Sequence, residues 1–146
     1  MKKILIIEDD NALGTALVTK LSKSEYSVKL IEDGLEVIST ARGFRPDLIL
    51  LDIVLPHKNG YEILEEMSKD DELKNTPVIV ISNSGQPVEI SRILALGVKD
   101  YIVKAQFNPE ELLEKVRTQL EEEVQTEISA DAQNNFAPSL SGKSVL

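Results

Sequence analysis

The 146-residue chain holds no cysteine, no tryptophan and a single histidine, and it carries only 16 basic side chains against 25 acidic ones. Each shortage closes a route. Without cysteine there is no disulfide framework, thiolate zinc site, iron–sulfur cluster or cysteine nucleophile. No apolar run approaches the ~18 residues of a membrane-spanning helix, and the opening MKKILIIEDD turns acidic too soon for a secretory signal. No glycine-rich phosphate loop or nucleotide fingerprint is present, so ATP is not expected as a direct substrate. The net charge of −9 opposes a nucleic-acid partner, because the summed field repels a polyanion. Length and a hydrophobic fraction of 42% fit one ordinary globular domain. The expectation is a soluble, acidic, cytoplasmic protein with no membrane insertion.

Three runs are apolar without alternation: Ile4 to Ile7, Leu48 to Leu51 and Val78 to Ile81. A strand wet on one face alternates apolar with polar, so these strands must be covered on both faces, as in a parallel sheet flanked by helices. Ser27 to Ile31 and Tyr101 to Val103 read as weaker strands nearer the sheet edges. Between strands the period becomes helical. Leu13, Leu17 and Leu21 line a first helix capped by Asp10 or Asn11, and Leu35, Val37, Ile38 and Ala41 line a second ending near Gly43. Tyr61, Ile63, Leu64 and Met67 line a third, entered through Asn59-Gly60. Ile90, Ile93, Leu94 and Leu96 line a fourth, started by Pro87 and ended by Gly97. Asn108-Pro109-Glu110-Glu111 opens a fifth, with Leu112, Leu113, Val116, Leu120 and Val124 as its stripe. Five strand–helix pairs in alternation predict a three-layer α/β sandwich, (βα)5, with right-handed crossovers. This unit is expected over residues 1–120, and residues 121–146, acidic and then polar, read as a helix extension and a disordered tail.

The chemistry gathers at one end of these strands. Glu8, Asp9 and Asp10 follow the first, Asp52 the third, Ser82 ends the fourth and Lys104 the fifth. Ligands of open parallel sheets bind outside the carboxyl ends of the strands, where the strand order reverses. If the first and third strands are neighbours, three carboxylates converge on one crevice. Two unit charges ~4 Å apart cost about 4 kcal/mol at an effective dielectric of 20, so a hard cation is expected there, and oxygen donors suit Mg²⁺ better than zinc. Asp52 would then be a carboxylate nucleophile facing a phosphoryl group, with Lys104 and Ser82 holding the oxygens the metal does not. Asp10 serves equally well as a simple helix cap. His57, in the loop after Pro56, reads as an ordinary surface residue.

ILIIEDD, PDLILLDIVLPHKNG with its Asp52, Pro56 and Gly60 spacing, VIVIS and GVKDYIVK together resemble the response-regulator receiver domain of two-component signalling. The resemblance spans residues 1 to about 120. It implies a flavodoxin-like five-stranded parallel sheet in the order 2-1-3-4-5, an order shared with the chemotaxis receiver. It implies Asp52 as the phosphorylated aspartate, and Glu8, Asp9, Asp52 and the Val54 backbone carbonyl as Mg²⁺ ligands. It implies Ser82 as the hydroxyl switch, Tyr101 as the aromatic switch and Lys104 as the family lysine. Expected partners are a sensor histidine kinase or histidine phosphotransfer protein, and a downstream target read through the fourth helix, fifth strand and fifth helix. The protein would be a monomer or a phosphorylation-dependent dimer, a stand-alone regulator and not a turnover enzyme.

Two positions depart from the family pattern. Ala105 follows Lys104 where a proline, often cis, is usual; a cis bond at a non-proline residue costs ~3 kcal/mol, so the loop carries that strain or takes another path. Asn83 follows Ser82 where alanine is usual, and its bulk is expected to slow phosphoryl exchange. Rival readings are a degenerate receiver that only binds partners, a haloacid-dehalogenase-like aspartate phosphatase and a flavodoxin-like phosphate binder. The second needs an acid two residues after its nucleophile, where Val54 stands. The third would have its phosphate repelled by Glu8, Asp9 and Asp10.

Overall fold

The computed structural model describes residues 1–83 and 85–120; the expected helix extension with Val124 and the tail lie outside the described residues. The elements alternate as β1 (Lys3–Ile7), α1 (Asn11–Lys23), β2 (Ser27–Ile31), α2 (Val37–Phe44), β3 (Leu48–Asp52), α3 (Gly60–Ser68), β4 (Val78–Ser82), α4 (Pro87–Ala95), β5 (Asp100–Val103) and α5 (109–120). All strand pairs are parallel, in the order β2-β1-β3-β4-β5. The three unalternating runs are the three central strands, and every residue of β3 and β4 is buried.

Strand alternation divides the core into two clusters. Leu5, Ile7, Ile49, Leu51, Val78 and Val80 pack on one face, against Val37 and Ala41 of α2, Ile63, Leu64 and Met67 of α3, and Ile93 of α4. Ile4, Ile6, Leu48, Leu50, Ile79, Ile81 and Ile102 pack on the other, against Leu17 and Leu21 of α1 and Leu112, Leu113 and Val116 of α5. Each buried aliphatic side chain contributes ~1.5–3 kcal/mol relative to exposure, so the register of the central strands is firmly set.

Helix ends follow the local signals. The Asp10 side chain accepts from the Leu13 N–H, Asn59 and Glu62 form a reciprocal capping box, and Asn108 accepts from the N–H groups of Glu110 and Glu111. Pro87 occupies the first turn of α4, and Gly97, at φ +88°, follows its end. Two stripes are narrower than their sequences suggest. Leu35 lies in a 3₁₀ turn ahead of α2 and is 64% exposed. Of the apolar stripe on α4 only Ile93 is buried and Ile90 half-buried: Leu94 sits ~100° further round the helix, and Leu96 lies past its end, so both are exposed.

The β3–α3 loop is clamped against its own strand. A Cβ on Gly60 would stand 2.7 Å from Ile53 Cα and 2.9 Å from the Asp52 carbonyl oxygen, and the Gly60 N–H donates to the Ile53 carbonyl at 2.8 Å. Gly60→Ala is therefore expected to destabilise the fold by ~1–3 kcal/mol in urea unfolding, because backbone and not a flexible side chain must yield.

Candidate functional site

The sheet register brings the polar ends together. Ile7 pairs with Leu51, so Glu8 lies level with Asp52; Asp52 pairs with Ile81, and Ser82 with Val103, immediately before Lys104. Alternation puts Glu8 and Asp52 on the α1–α5 face, in parity with Ile6 and Leu50. Both are buried, and Asp52 is 0% exposed. Asp9 remains exposed at the rim. One carboxylate oxygen from each of Glu8, Asp9 and Asp52 lies within 4.8 Å of the others, a constellation able to hold a divalent cation.

Lys104 reaches this crevice from β5. Its Nζ donates to Asp52 Oδ2 at 2.9 Å and to Glu8 Oε2 at 3.2 Å. The Asp10 N–H also donates to Glu8 Oε2, at 3.0 Å, and the Val54 N–H to Asp52 Oδ1, at 3.0 Å. Glu8 Oε1 is buried with no hydrogen-bond partner, which is costly for a carboxylate oxygen unless a proton or cation meets it. Burial first and the adjacent Asp52 carboxylate second push the Glu8 carboxyl up to about 7, against the opposing pull of the Asp10 N–H and the Lys104 ammonium. Burial pulls the Lys104 ammonium down, but its hydrogen bond and attraction to Asp52, with Glu8 behind, raise it overall. One cation thus serves two buried acids.

Not every expected residue joins this group. Ser82 ends β4 as expected, but its parity is that of Val78 and Val80, and its hydroxyl donates to Glu89 Oε1 in the first turn of α4. Tyr101 is half-buried against the α2–α4 cluster, with the Lys115 Nζ 5.9 Å from its ring centre. Ala105 lies in a 3₁₀ turn, Lys104–Gln106, and no peptide bond among the described residues is cis, so the loop takes another path. Asn83 is exposed on the bend after β4. His57 is an exposed loop residue, as expected; at φ 69° its Nδ1 lies 2.8 Å from Asp33 Oδ2, linking the β3–α3 loop to the loop after β2. Glu89 was not legible as a site residue. Its only signal is an acid in the first turn of a helix that begins shortly after Ser82.

No helix among the described residues is long and apolar enough to cross a membrane. A family model described as the response regulator receiver domain matches residues 4–117. The DNA-binding response regulator MtrA of Mycobacterium tuberculosis is 32% identical over 119 residues, which are 82% of this chain and 50% of that protein. The chain spans about half the length of the curated relatives it matches. Among solved structures, the chemotaxis protein CheY4 of Vibrio cholerae is 28% identical with a TM-score of 0.76, covering 82% of this chain and 99% of that one. The receiver domain of a sensor histidine kinase from Pseudomonas aeruginosa, with a magnesium ion coordinated in its active site cleft, is 27% identical with a TM-score of 0.74, covering 82% and 97%.

The raised Glu8 carboxyl has a consequence for stability. The folded protein retains a proton that the unfolded chain releases near 4.5, so this contribution is complete below 4.5 and is lost as pH rises through about 7. Metal-free protein is expected to lose ~2–4 kcal/mol across that window relative to Glu8→Gln, in urea unfolding at stepped pH. Parallel pH profiles for the two proteins would contradict the buried-acid picture.

Proposed function

The chain belongs to the response-regulator receiver family, and on that footing we propose that it takes a phosphoryl group from a phosphohistidine onto Asp52, with Mg²⁺, and thereby switches its binding of partners. The observation that carries this reading is the buried Asp52 carboxylate at the end of β3, flanked by Glu8 and Asp9 and held by Lys104 at 2.9 Å. In the transfer, an Asp52 oxygen bonds to phosphorus as the donor's P–N bond breaks, and the electron pair leaves with the imidazole.

The residues present fit a hard cation. Glu8, Asp9 and Asp52 offer oxygen donors only, and the unpartnered Glu8 Oε1 points to a missing positive group. Glu8, Asp9, Asp52 and the Val54 carbonyl would hold it. When bound, Mg²⁺ supplies charge that offsets the anionic phosphoryl oxygens. Lys104 holds one such oxygen by turning its ammonium from the carboxylates, and Ser82 donates to another after leaving Glu89. Phosphorylation adds charge and acceptor oxygens. The α4–β5–α5 surface, with Tyr101 in β5, then shifts between two populations that partners distinguish.

The donors that fit are a histidine kinase or a phosphotransfer histidine, in the cytoplasm. Output is binding of a protein target, or return of the phosphoryl group to another histidine, as a monomer or a phosphorylation-dependent dimer. The chain acts as a switch and not a turnover enzyme: the position two residues after Asp52 is Val54, 55% exposed, which offers no general acid for hydrolysis. That favours this reading over a haloacid-dehalogenase-like phosphatase, and the intact set of carboxylates, lysine and hydroxyl favours it over a degenerate binding module.

Acetyl phosphate with Mg²⁺ is expected to add one phosphoryl mass to the wild type and none to Asp52→Asn in intact-protein mass spectrometry. Equal labelling of both would contradict the assignment. Asn83→Ala is expected to shorten the acyl-phosphate half-life severalfold by opening the approach beside Ser82, and an unchanged half-life would remove that role.

A further inference from the structure

At the end of β4, two neighbouring residues serve different sides of the sheet. Ile81 packs with Ile79 on the α1–α5 face, where Asp52 and Lys104 lie, whereas Ser82 continues the opposite parity of Val78 and Val80. Its hydroxyl has one proton, and that proton goes to Oε1 of Glu89. Glu89 is the third residue of α4, half-buried, in the turn where helix polarity favours an acid. Its charge is also felt on α3, at Tyr61. The Arg92 guanidinium stacks 3.7 Å from the Tyr61 ring centre, and Glu89 is the charge that, after burial, keeps the Tyr61 hydroxyl above its ordinary range. A hydroxyl expected at the phosphoryl site is therefore held by a carboxylate on the other face of the sheet.

We propose that Glu89 is a positioning residue that competes with the phosphoryl group for the Ser82 hydroxyl. This rests on the phosphoacceptor reading of Asp52. A hydrogen bond to an ionised acceptor is roughly twice as strong as a neutral one, and both the Glu89 carboxylate and a phosphoryl oxygen are such acceptors. The single proton cannot serve both. Moving it to the phosphoryl oxygen leaves a half-buried carboxylate without this donor, which presses the first turn of α4 toward water. Glu89 thereby sets how far phosphorylation must work against the resting state, and it couples Ser82 to α4 by a route that does not pass through Tyr101.

Beryllium fluoride with Mg²⁺, a non-transferable stand-in for the phosphoryl group, tests this by fluorine NMR of the whole chain. Glu89→Ala is expected to lower the half-saturating concentration about tenfold, the size expected for releasing a hydrogen bond to a charged group. Glu89→Gln keeps the shape, accepts more weakly, and should fall between Glu89→Ala and wild type. In Ser82→Ala, Glu89→Ala should change nothing, because the contested hydroxyl is gone. No gain in Glu89→Ala overturns the proposal, and so does an equal gain with and without the hydroxyl, which would reduce Glu89 to a repulsive charge. If the wild type takes up no beryllium fluoride, the phosphoacceptor reading falls and this inference with it. Uptake without a Ser82-dependent gain overturns this inference alone.

Discussion

Two buried carboxylates, Glu8 and Asp52, share one ammonium, and much of the site follows from that shortage of positive charge. A buried ion is tolerated when it is paired and hydrogen-bonded, and the desolvation of a second acid is not offset by a cation already engaged. Lys104 divides itself between them, the Asp10 and Val54 N–H groups take one oxygen each, and Glu8 Oε1 is left over. A site in this condition has an affinity for whatever brings positive charge: a proton on Glu8, or a hard cation between Glu8, Asp9 and Asp52. Asp52 itself is held on both oxygens, by the Val54 N–H and by Lys104.

The sheet makes this arrangement unavoidable once the sequence is threaded. Five parallel strands end at the same edge, and the order β2-β1-β3-β4-β5 sets Glu8 beside Asp52 and leads through β4 to Lys104. The aliphatic residues beneath lock the register on both faces, so the polar ends have little freedom to drift apart. The α3 entrance adds a second constraint: Gly60 lets the loop fold back on Ile53 and Asp52, and the His57–Asp33 contact secures that loop to its neighbour.

Most of this architecture was legible in the sequence because it rests on local signals. Unbroken apolar runs marked the central strands, caps marked the helices, and the acids, serine and lysine stood at strand ends. The surfaces of α2 and α4 were over-read, since Leu35, Leu94 and Leu96 are apolar but face solvent. The direction of Ser82 was not legible, and the reason is physical. In a strand covered on both faces the period-two pattern falls silent, so VIVIS does not say which face its serine joins. Only the packed sheet shows that Ser82 departs from the side of Asp52 and meets Glu89. The sharing of Lys104 between two acids was hidden for a related reason: three separate strands meet there, and their spacing in the chain does not reveal how one charge is divided.

The charge shortage can be tested without any phosphoryl donor, by removing the one ammonium. Urea unfolding of Lys104→Met, with and without millimolar Mg²⁺, measures it directly. The account predicts that the metal-free variant loses ~3–5 kcal/mol, as when one partner of a buried pair is deleted, and that Mg²⁺ recovers much of that loss. A metal-free variant as stable as the wild type would contradict it.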